Sequence, residues 1–482
     1  MEKTNTNNAC TIPTRIMSVK KRRQRCARKI IRASCYSSTT LNPEHTIVIG
    51  GGLAGLACAR ELATAFTLIE RDSRLGGLCR TESIDGFEFD WTGHWLHARD
   101  PEMRNLIEHR WLAGNLITVE RRAMIFSEQT WTRFPYQHHL HGLPAKTIAA
   151  CIEGFVDATT GEAGRALRER PLANAADFIR RHLGKGFEEY FLRPYNEKLF
   201  TVPVEQLSPE WGGRFIPRPN FSEVLRGALG LAADGAGYNA TFWYPREGGI
   251  ESLVRGIEAD VRALPGSVRT SAPIDRIDLE KKIVKLESGE AISYDQMVLT
   301  LPLHAAAKMI ANPPAAVREA TAKLRAVSVT VVEIGADDIG GEDFHWAYFP
   351  ERQFSFYRVG SPSQVNPRLA PEGCRSFAVE FAHQGAPTAA ETEQRIADSI
   401  AGLARCGLID PQRVRLARAR TIPTAYVLFD LNHAAARACI LDHFAAHGVQ
   451  VAGRYGRWEY SSMEDALLTG RAAARAARAG TP

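Results

Sequence analysis

The sequence predicts an α/β fold: a parallel sheet organised around one strand, glycine turn and helix, with other segments inserted between its parts. Three observations predict it. Ile47-Val48-Ile49 is a β-branched run free of charge, as expected of a short parallel strand buried on both faces. Gly50, Gly52 and Gly55 follow in GxGxxG spacing, and Ala57 to Leu62 continue as a helix. A second apolar strand, Phe66-Thr67-Leu68-Ile69, then closes on Glu70.

Each element carries a chemical consequence. The first glycine permits the tight turn, the second lets backbone approach a pyrophosphate, and the third lets helix pack closely on strand. The helix N-terminus presents free N–H groups to phosphate charge. Glu70 falls where a carboxylate accepts from ribose hydroxyls, which favours FAD or NAD over NADP. The unit is thus a Rossmann-like dinucleotide site. Arg74 to Thr81 then places Gly76, Gly77 and Arg80 just after the acid.

A chain of 482 residues is too long for one compact core. Its 45% hydrophobic and 24% charged residues are ordinary for a soluble globular protein. The net charge of +6 comes largely from the first forty residues, so the body is near neutral and nothing in it asks for nucleic acid. The cysteines Cys10, Cys26, Cys35, Cys58, Cys79, Cys151, Cys374, Cys406 and Cys439 form no CxxC pair. They read as reduced thiols of a cytoplasmic protein without a metal cluster. No stretch approaches the roughly eighteen continuous apolar residues that span a bilayer. Residues 1–43 hold Lys20, Lys21, Arg22, Arg23, Arg25, Arg28, Lys29 and Arg32, with Glu2 the one acid. They are expected to be a disordered basic extension without catalytic role, with organelle targeting as the other reading.

The parallel sheet is expected to be assembled from distant parts of the chain. Val449 to Ala452 reads as a short strand, followed by Gly453 and Arg454. Ser462 is a suitable N-cap for a long alanine-rich helix, with Met463 at its start and Glu464 and Asp465 in its first turn. Three strand-like runs, around Val268, Val284 and Val298, are expected to complete the same domain. The division expected is therefore 44–103, 246–304 and 426–482 for the cofactor domain, and 104–245 for a mainly helical substrate segment. Residues 305–425 form a mixed α+β segment with an amphipathic helix near 391–406. There is no second glycine fingerprint, since Gly227, Gly230, Gly235 and Gly237 follow no apolar strand. Any NAD(P)H is thus expected to visit only transiently, as a reductant.

The glycine pair after the acid resembles the GG-motif flavoproteins, among them amine oxidases, protoporphyrinogen oxidase and UDP-galactopyranose mutase. Four stretches narrow this: Phe134-Pro135-Tyr136-Gln137-His138-His139, Phe191 to Lys198, Tyr348-Phe349-Pro350 with Phe356-Tyr357-Arg358, and Gly453 to Tyr460. In that order they resemble the eukaryotic-type UDP-galactopyranose mutases over about residues 45 to 478. The resemblance implies FAD held by Gly50, Gly52, Gly55, Glu70, Gly76, Gly77, Arg80, Val268, Gly453, Arg454 and Met463. It also implies a reduced flavin acting as nucleophile on a nucleotide sugar, a small-molecule substrate. Arg193 and Arg358 then form a diphosphate clamp from two directions. Tyr348, Tyr426 and Tyr460 hydrogen-bond the same phosphates, and His94 approaches flavin N5. Tyr136, Gln137 and Asn220 hold the substrate, the first two at the uracil.

Two departures point elsewhere. Ser461-Ser462-Met463-Glu464-Asp465-Ala466 stands where such mutases carry a Gly-Asn-Gln-Asp-His type of run, and His138-His139 stands for an Asn pair. The first looks closer to amine-oxidase or protoporphyrinogen-oxidase-like proteins, so an FAD-dependent oxidoreductase is the second expectation. The readings part at one point. A mutase needs Arg193 and Arg358 converging on one phosphate-sized site, and an oxidase does not.

Overall fold

The computed structural model describes residues 45–63, 65–231 and 240–479. The expected basic extension at 1–43 lies outside the described residues, as do Gly235 and Gly237.

Thr46–Ile49 is fully enclosed and forms the centre of a five-stranded parallel sheet. Across the sheet run Gln450–Val451, Gln296–Leu299, Thr46–Ile49, Phe66–Ile69 and Ser267–Arg269. Burying side chains such as Ile47, Val48 and Ile49 contributes about 1.5–3 kcal/mol each. The helix Leu53–Leu62 leaves the first strand and packs on the C-terminal helix Met463–Ala479. That contact depends on small residues, because a Cβ on Gly470 would run into the Ala54 carbonyl.

One strand departs from expectation. Ile283–Leu286 is absent from the parallel sheet and pairs antiparallel with Ile274–Asp278 and Ala291–Ser293 in a separate sheet. The reason lies in its alternation: Val284 and Leu286 are buried and Lys285 is exposed, which suits a one-faced sheet but not a strand covered on both sides.

A second large sheet has seven strands. In order they are Val414–Val427, Ala326–Asp337, Cys374–His383, Arg358–Gly360, Trp346–Tyr348, Ala123–Ser127 and Thr130–Arg133. The last two form a hairpin from the segment expected to be mainly helical, and Ala123–Ser127 docks parallel to Trp346–Tyr348. Helix Ala389–Arg405 packs on this sheet, opened by a capping box between Thr388 and Glu391. Helices between Ala145 and Ala228 pack around a separate core of Tyr136, Phe155, Phe178, Phe187 and Phe191.

The hairpin Thr81–Ile84 and Phe87–Asp90 leads into the Thr92–His94 loop. It is pinned to the long sheet by Arg420, which clasps Glu82 with both Nη atoms at 2.7 and 2.6 Å and stacks 4.8 Å from the Trp91 ring. Among the described residues no helix is long and apolar enough to cross a membrane.

Candidate active site

A cavity of about 2550 Å³ opens at the carboxyl ends of the parallel strands and extends to the seven-stranded sheet. Ligands of open parallel sheets bind at this edge, because the strand-to-helix turns converge there.

At the parallel sheet, two backbone runs lie against each other with no side chains between them. Gly76 N–H donates to the Gly51 carbonyl at 2.8 Å. A Cβ on Gly52 would meet nothing nearer than the Gly77 Cα, at 3.9 Å. Gly50 adopts a φ of +104°, which lets the turn close. Helix Leu53–Leu62 begins at Gly52 with no side-chain cap, leaving first-turn N–H groups for an anion. Glu70 is fixed in direction, since its Oε2 accepts from Gly51 N–H at 2.7 Å and its Oε1 from Asp72 N–H at 2.9 Å. A groove walled by backbone, with a helix N-terminus and an aimed carboxylate, fits a dinucleotide pyrophosphate and ribose.

Gly50, Gly52, Glu70, Gly76, Gly77, Gly453, Arg454 and Met463 all line this cavity. Three residues expected at the cofactor stand behind its wall. Gly55 packs against Gly50, where a Cβ would collide with the carbonyl. Arg80 is buried against Asp72 at 2.9 Å and over the Trp91 ring at 4.8 Å. Val268 sits within its strand opposite Leu68, and Ala272, Pro273 and Ile274 form the cavity surface nearby. The C-terminal helix starts as expected: Ser462 Oγ accepts from Asp465 N–H at 3.1 Å, and Asp465 Oδ2 accepts from Ser462 N–H at 2.8 Å. Glu464 does more than complement the helix dipole. Its buried Oε1 accepts from the backbone N–H groups of Arg99 and Asp100 at 2.5 and 2.7 Å, tying down the segment that follows His94.

At the far sheet, His94, Arg358, Tyr426 and Tyr460 share the cavity wall. Tyr426 and Tyr460 lie parallel, 9° apart with centroids at 6.3 Å, and Arg454 Cζ lies 4.2 Å over the Tyr460 ring. Enclosure by protein pushes the His94 imidazole down to about 4, with the Arg454 and Arg358 guanidiniums adding to the shift. Its Nδ1 lies 3.0 Å from the Thr92 carbonyl, which assigns the proton to Nδ1 and leaves Nε2 as acceptor. Arg358 donates to Glu380 Oε1 at 2.7 Å, and Tyr357 donates to the other carboxylate oxygen. Tyr348, expected with them, is the cross-strand partner of Arg358 but does not line the cavity, and its hydroxyl accepts from Trp346 Nε1 at 3.0 Å.

Four expected substrate residues stand elsewhere. Arg193 does not line the cavity; Glu188, Glu197 (3.1 Å) and Glu205 (2.6 Å) surround its guanidinium. Three carboxylates within reach of one cation fix it away from the chamber, so it does not converge with Arg358. Tyr136 is fully buried and stacks on Phe191 at 5.0 Å, because the helical core takes the one large ring of its turn that points inward. Gln137 is buried and donates through Nε2 to the Pro217 carbonyl at 2.7 Å. The neighbours Phe134, Pro135, His138 and His139 face the cavity instead. Asn220 is spent as a helix cap: its Oδ1 accepts from Glu223 N–H at 3.0 Å, and Glu223 accepts from Asn220 N–H at 2.7 Å.

Glu380 was missed by reasoning from sequence. Its signal was present as the single acid in Ser376-Phe377-Ala378-Val379-Glu380-Phe381-Ala382, since a charge inside an apolar strand is retained where it has a buried partner.

Comparison with known proteins matches this architecture. Residues 53–478 match the family described as "Flavin containing amine oxidoreductase". The coproporphyrinogen III oxidase of Bacillus subtilis (strain 168) is 21% identical over 301 residues, which are 56% of this chain and 63% of that protein. Polyamine oxidase 4 of Oryza sativa subsp. japonica is 24% identical over 277 residues, 54% of this chain and 52% of that protein. The chain thus spans about half to two thirds of the length of these relatives. A crystal structure of reduced UDP-galactopyranose mutase superposes with a TM-score of 0.82, covering 89% of this chain and 94% of that one at 23% identity. At that identity the likeness is one of fold.

Proposed function

The chain belongs to the flavin-containing amine oxidoreductase family, and from that premise we propose that it is an FAD-dependent oxidoreductase of a small-molecule substrate. Gly50, Gly52, Gly76 and Gly77 would hold the pyrophosphate of bound FAD and Glu70 its ribose, with the Met463 helix start lining the same cavity. Bound there, the flavin would supply two-electron oxidation of a substrate C–H bond, with dioxygen as the terminal oxidant. The remaining work falls to the chain. Tyr426 and Tyr460 offer flat apolar faces that orient the substrate and exclude water. His94 stays uncharged at neutral pH, so it adds a hydrogen-bond acceptor to the chamber without adding a cation.

The observation that carries this reading is the position of Arg193. Its three carboxylate partners leave Arg358 as the one member of the expected arginine pair in the chamber, and Glu380 already answers that charge. This supports the oxidoreductase over a reading that needs Arg193 and Arg358 together on a leaving diphosphate. A second reading, a pyranose/furanose mutase of a nucleotide sugar, is supported by the meeting of Arg358, Tyr426 and Tyr460 at one wall. In that reading NAD(P)H reduces the flavin during a transient visit.

One experiment separates the two. The yellow protein is offered amines, sugar alcohols and cyclic precursors anaerobically, and nucleotide sugars after dithionite reduction. Substrate-driven bleaching of the oxidised flavin is the expected result. A furanose product formed only with reduced flavin would replace this reading with the mutase.

A further inference from the structure

Helix Phe221–Ala228 is apolar over a wider arc than the protein covers. Successive residues of a helix turn by about 100°, so side chains at i, i+4 and i+8 share one stripe. Val224, Gly227 and Ala228 are buried. Phe221, Leu225 and the capping Leu229 form the neighbouring stripe and stand 46%, 38% and 60% exposed, with Leu231 beyond them at 53%. Among the described residues, Val156, Ile339 and Leu431 are the other large apolar side chains so exposed. Exposed apolar residues scattered singly are ordinary, whereas a group of four marks a contact surface. The helix is held in this attitude from behind: His141 N–H donates to the Gly227 carbonyl at 3.0 Å, and a Cβ on Gly227 would run into the His138 carbonyl. On the remaining side Glu223 and Arg226 line the chamber while staying exposed, which places the helix at the chamber mouth. Between Ile216 and Leu231 the charged residues are Arg218 and Arg226, both exposed, and Glu223, whose carboxylate is engaged by Asn220 N–H. The chain adds eight Lys and Arg residues from Lys20 to Arg32, which anionic lipid attracts irrespective of their placement.

We infer that this helix face docks on an anionic lipid surface, with Phe221, Leu225, Leu229 and Leu231 among the acyl chains and Arg218 and Arg226 at the headgroups. Apolar side chains flanked by cations match the layering of a bilayer edge, where hydrocarbon lies beneath anionic phosphate. One such signal alone binds weakly and reversibly, and two together hold. A second copy of the chain fits less well, because a symmetric contact would set the same two arginines against their own counterparts. Docked in this way, the chamber mouth meets the membrane interface, and an apolar or amphiphilic substrate enters without crossing bulk water. The inference needs the mouth of the cavity but not the chemistry inside it, so it goes beyond the reaction proposed above.

The test is co-sedimentation of the full, flavin-loaded chain with vesicles of equal parts phosphatidylcholine and phosphatidylglycerol. Binding is expected, weaker on phosphatidylcholine alone and weaker as salt rises. Leu225→Ser combined with Leu229→Ser is expected to weaken it about tenfold. Leu431→Ser, at an exposed apolar position elsewhere in the chain, is expected to leave it within about twofold. An unaltered ratio of flavin to protein shows that each variant is folded. Should the double variant fold poorly, hydrogen exchange of the unaltered protein reads the same contact, and vesicles are expected to slow exchange across 221–231. Absence of binding overturns the docking face. So does binding that the double variant keeps in full, or exchange across 221–231 that vesicles leave unchanged, since the basic segment would then carry the attraction. A lipid-free dimer that the double variant dissolves would assign the face to a second copy instead. Binding is read without turnover, so its failure leaves the oxidoreductase reading standing, and the failure of that reading leaves the docking face standing.

Discussion

Arg358 and Glu380 are register partners on adjacent antiparallel strands, and their side chains meet at 2.7 Å on the cavity wall. Glu380 is almost wholly buried and also accepts from Tyr357, so it fixes the direction of the guanidinium. Removing one partner of such a pair leaves an uncompensated buried charge. Glu380→Ala is expected to cost about 3–5 kcal/mol, seen as a lower thermal unfolding midpoint. An unchanged midpoint would show that Arg358 finds another partner.

Gly52 and Gly55 separate cofactor space from packing space. Gly52 has an ordinary φ of −74° and room for a Cβ within the protein, so Gly52→Ala is expected to fold normally. The added methyl points into the groove between Gly52 and Gly77, and flavin content is expected to fall to a small fraction of the unaltered protein. Gly55→Ala drives a Cβ into the Gly50 carbonyl and is expected to lower stability itself. Visible absorbance per protein and far-UV circular dichroism read the two outcomes. Full flavin content in Gly52→Ala would refute this placement of the pyrophosphate.

Arg193→Ala tests the clamp directly. The side chain sits among Glu188, Glu197 and Glu205, and Glu188 keeps Arg180 at 2.7 Å after the change. A stability loss of about 1–3 kcal/mol is expected, with bound flavin and turnover kept. Loss of turnover in a folded, yellow variant would return Arg193 to the chemistry.

Asp90 gives a pH dependence. Its carboxylate accepts from Thr81 Oγ1, Tyr244 OH and Ile250 N–H, and burial pushes its pKa up to about 7. Between the ordinary carboxylate value near 4 and about 7, the folded chain keeps a proton that the unfolded chain has released. Stability therefore falls as pH rises through that window and levels off above it. Asp90→Asn removes the titration, so its unfolding midpoint is expected to vary less across the window and to exceed that of the unaltered protein above it. The difference is bounded at about 4 kcal/mol. Parallel profiles for the two proteins would show that Asp90 ionises freely.

Local chemistry was legible in the sequence wherever neighbours along the chain decide the outcome. Ile47 to Glu70 reads as strand, turn, helix, strand and acid because each step depends on β-branching, on glycine or on a cap within a few residues. The Ser462 cap and the helix Ala389–Arg405 were readable for the same reason. The strand Ile283–Leu286 was readable as a strand but not as to its sheet, since sheet membership depends on which distant edge is free.

The sequence by itself determined the glycine turn, the aimed carboxylate and the helix starts that make a dinucleotide groove. Only the tertiary structure decided which charged and aromatic groups share the chamber. Arg193 and Arg358 both sit in stretches that resemble the same family, yet Glu205 and Glu188 hold one and the cavity wall shows the other. Tyr136 and Phe134 are two residues apart, and the helical core takes the tyrosine while the cavity takes the phenylalanine. A long side chain can face any of several partners from one backbone position, and the partner that wins is set by charges and surfaces supplied from elsewhere in the fold.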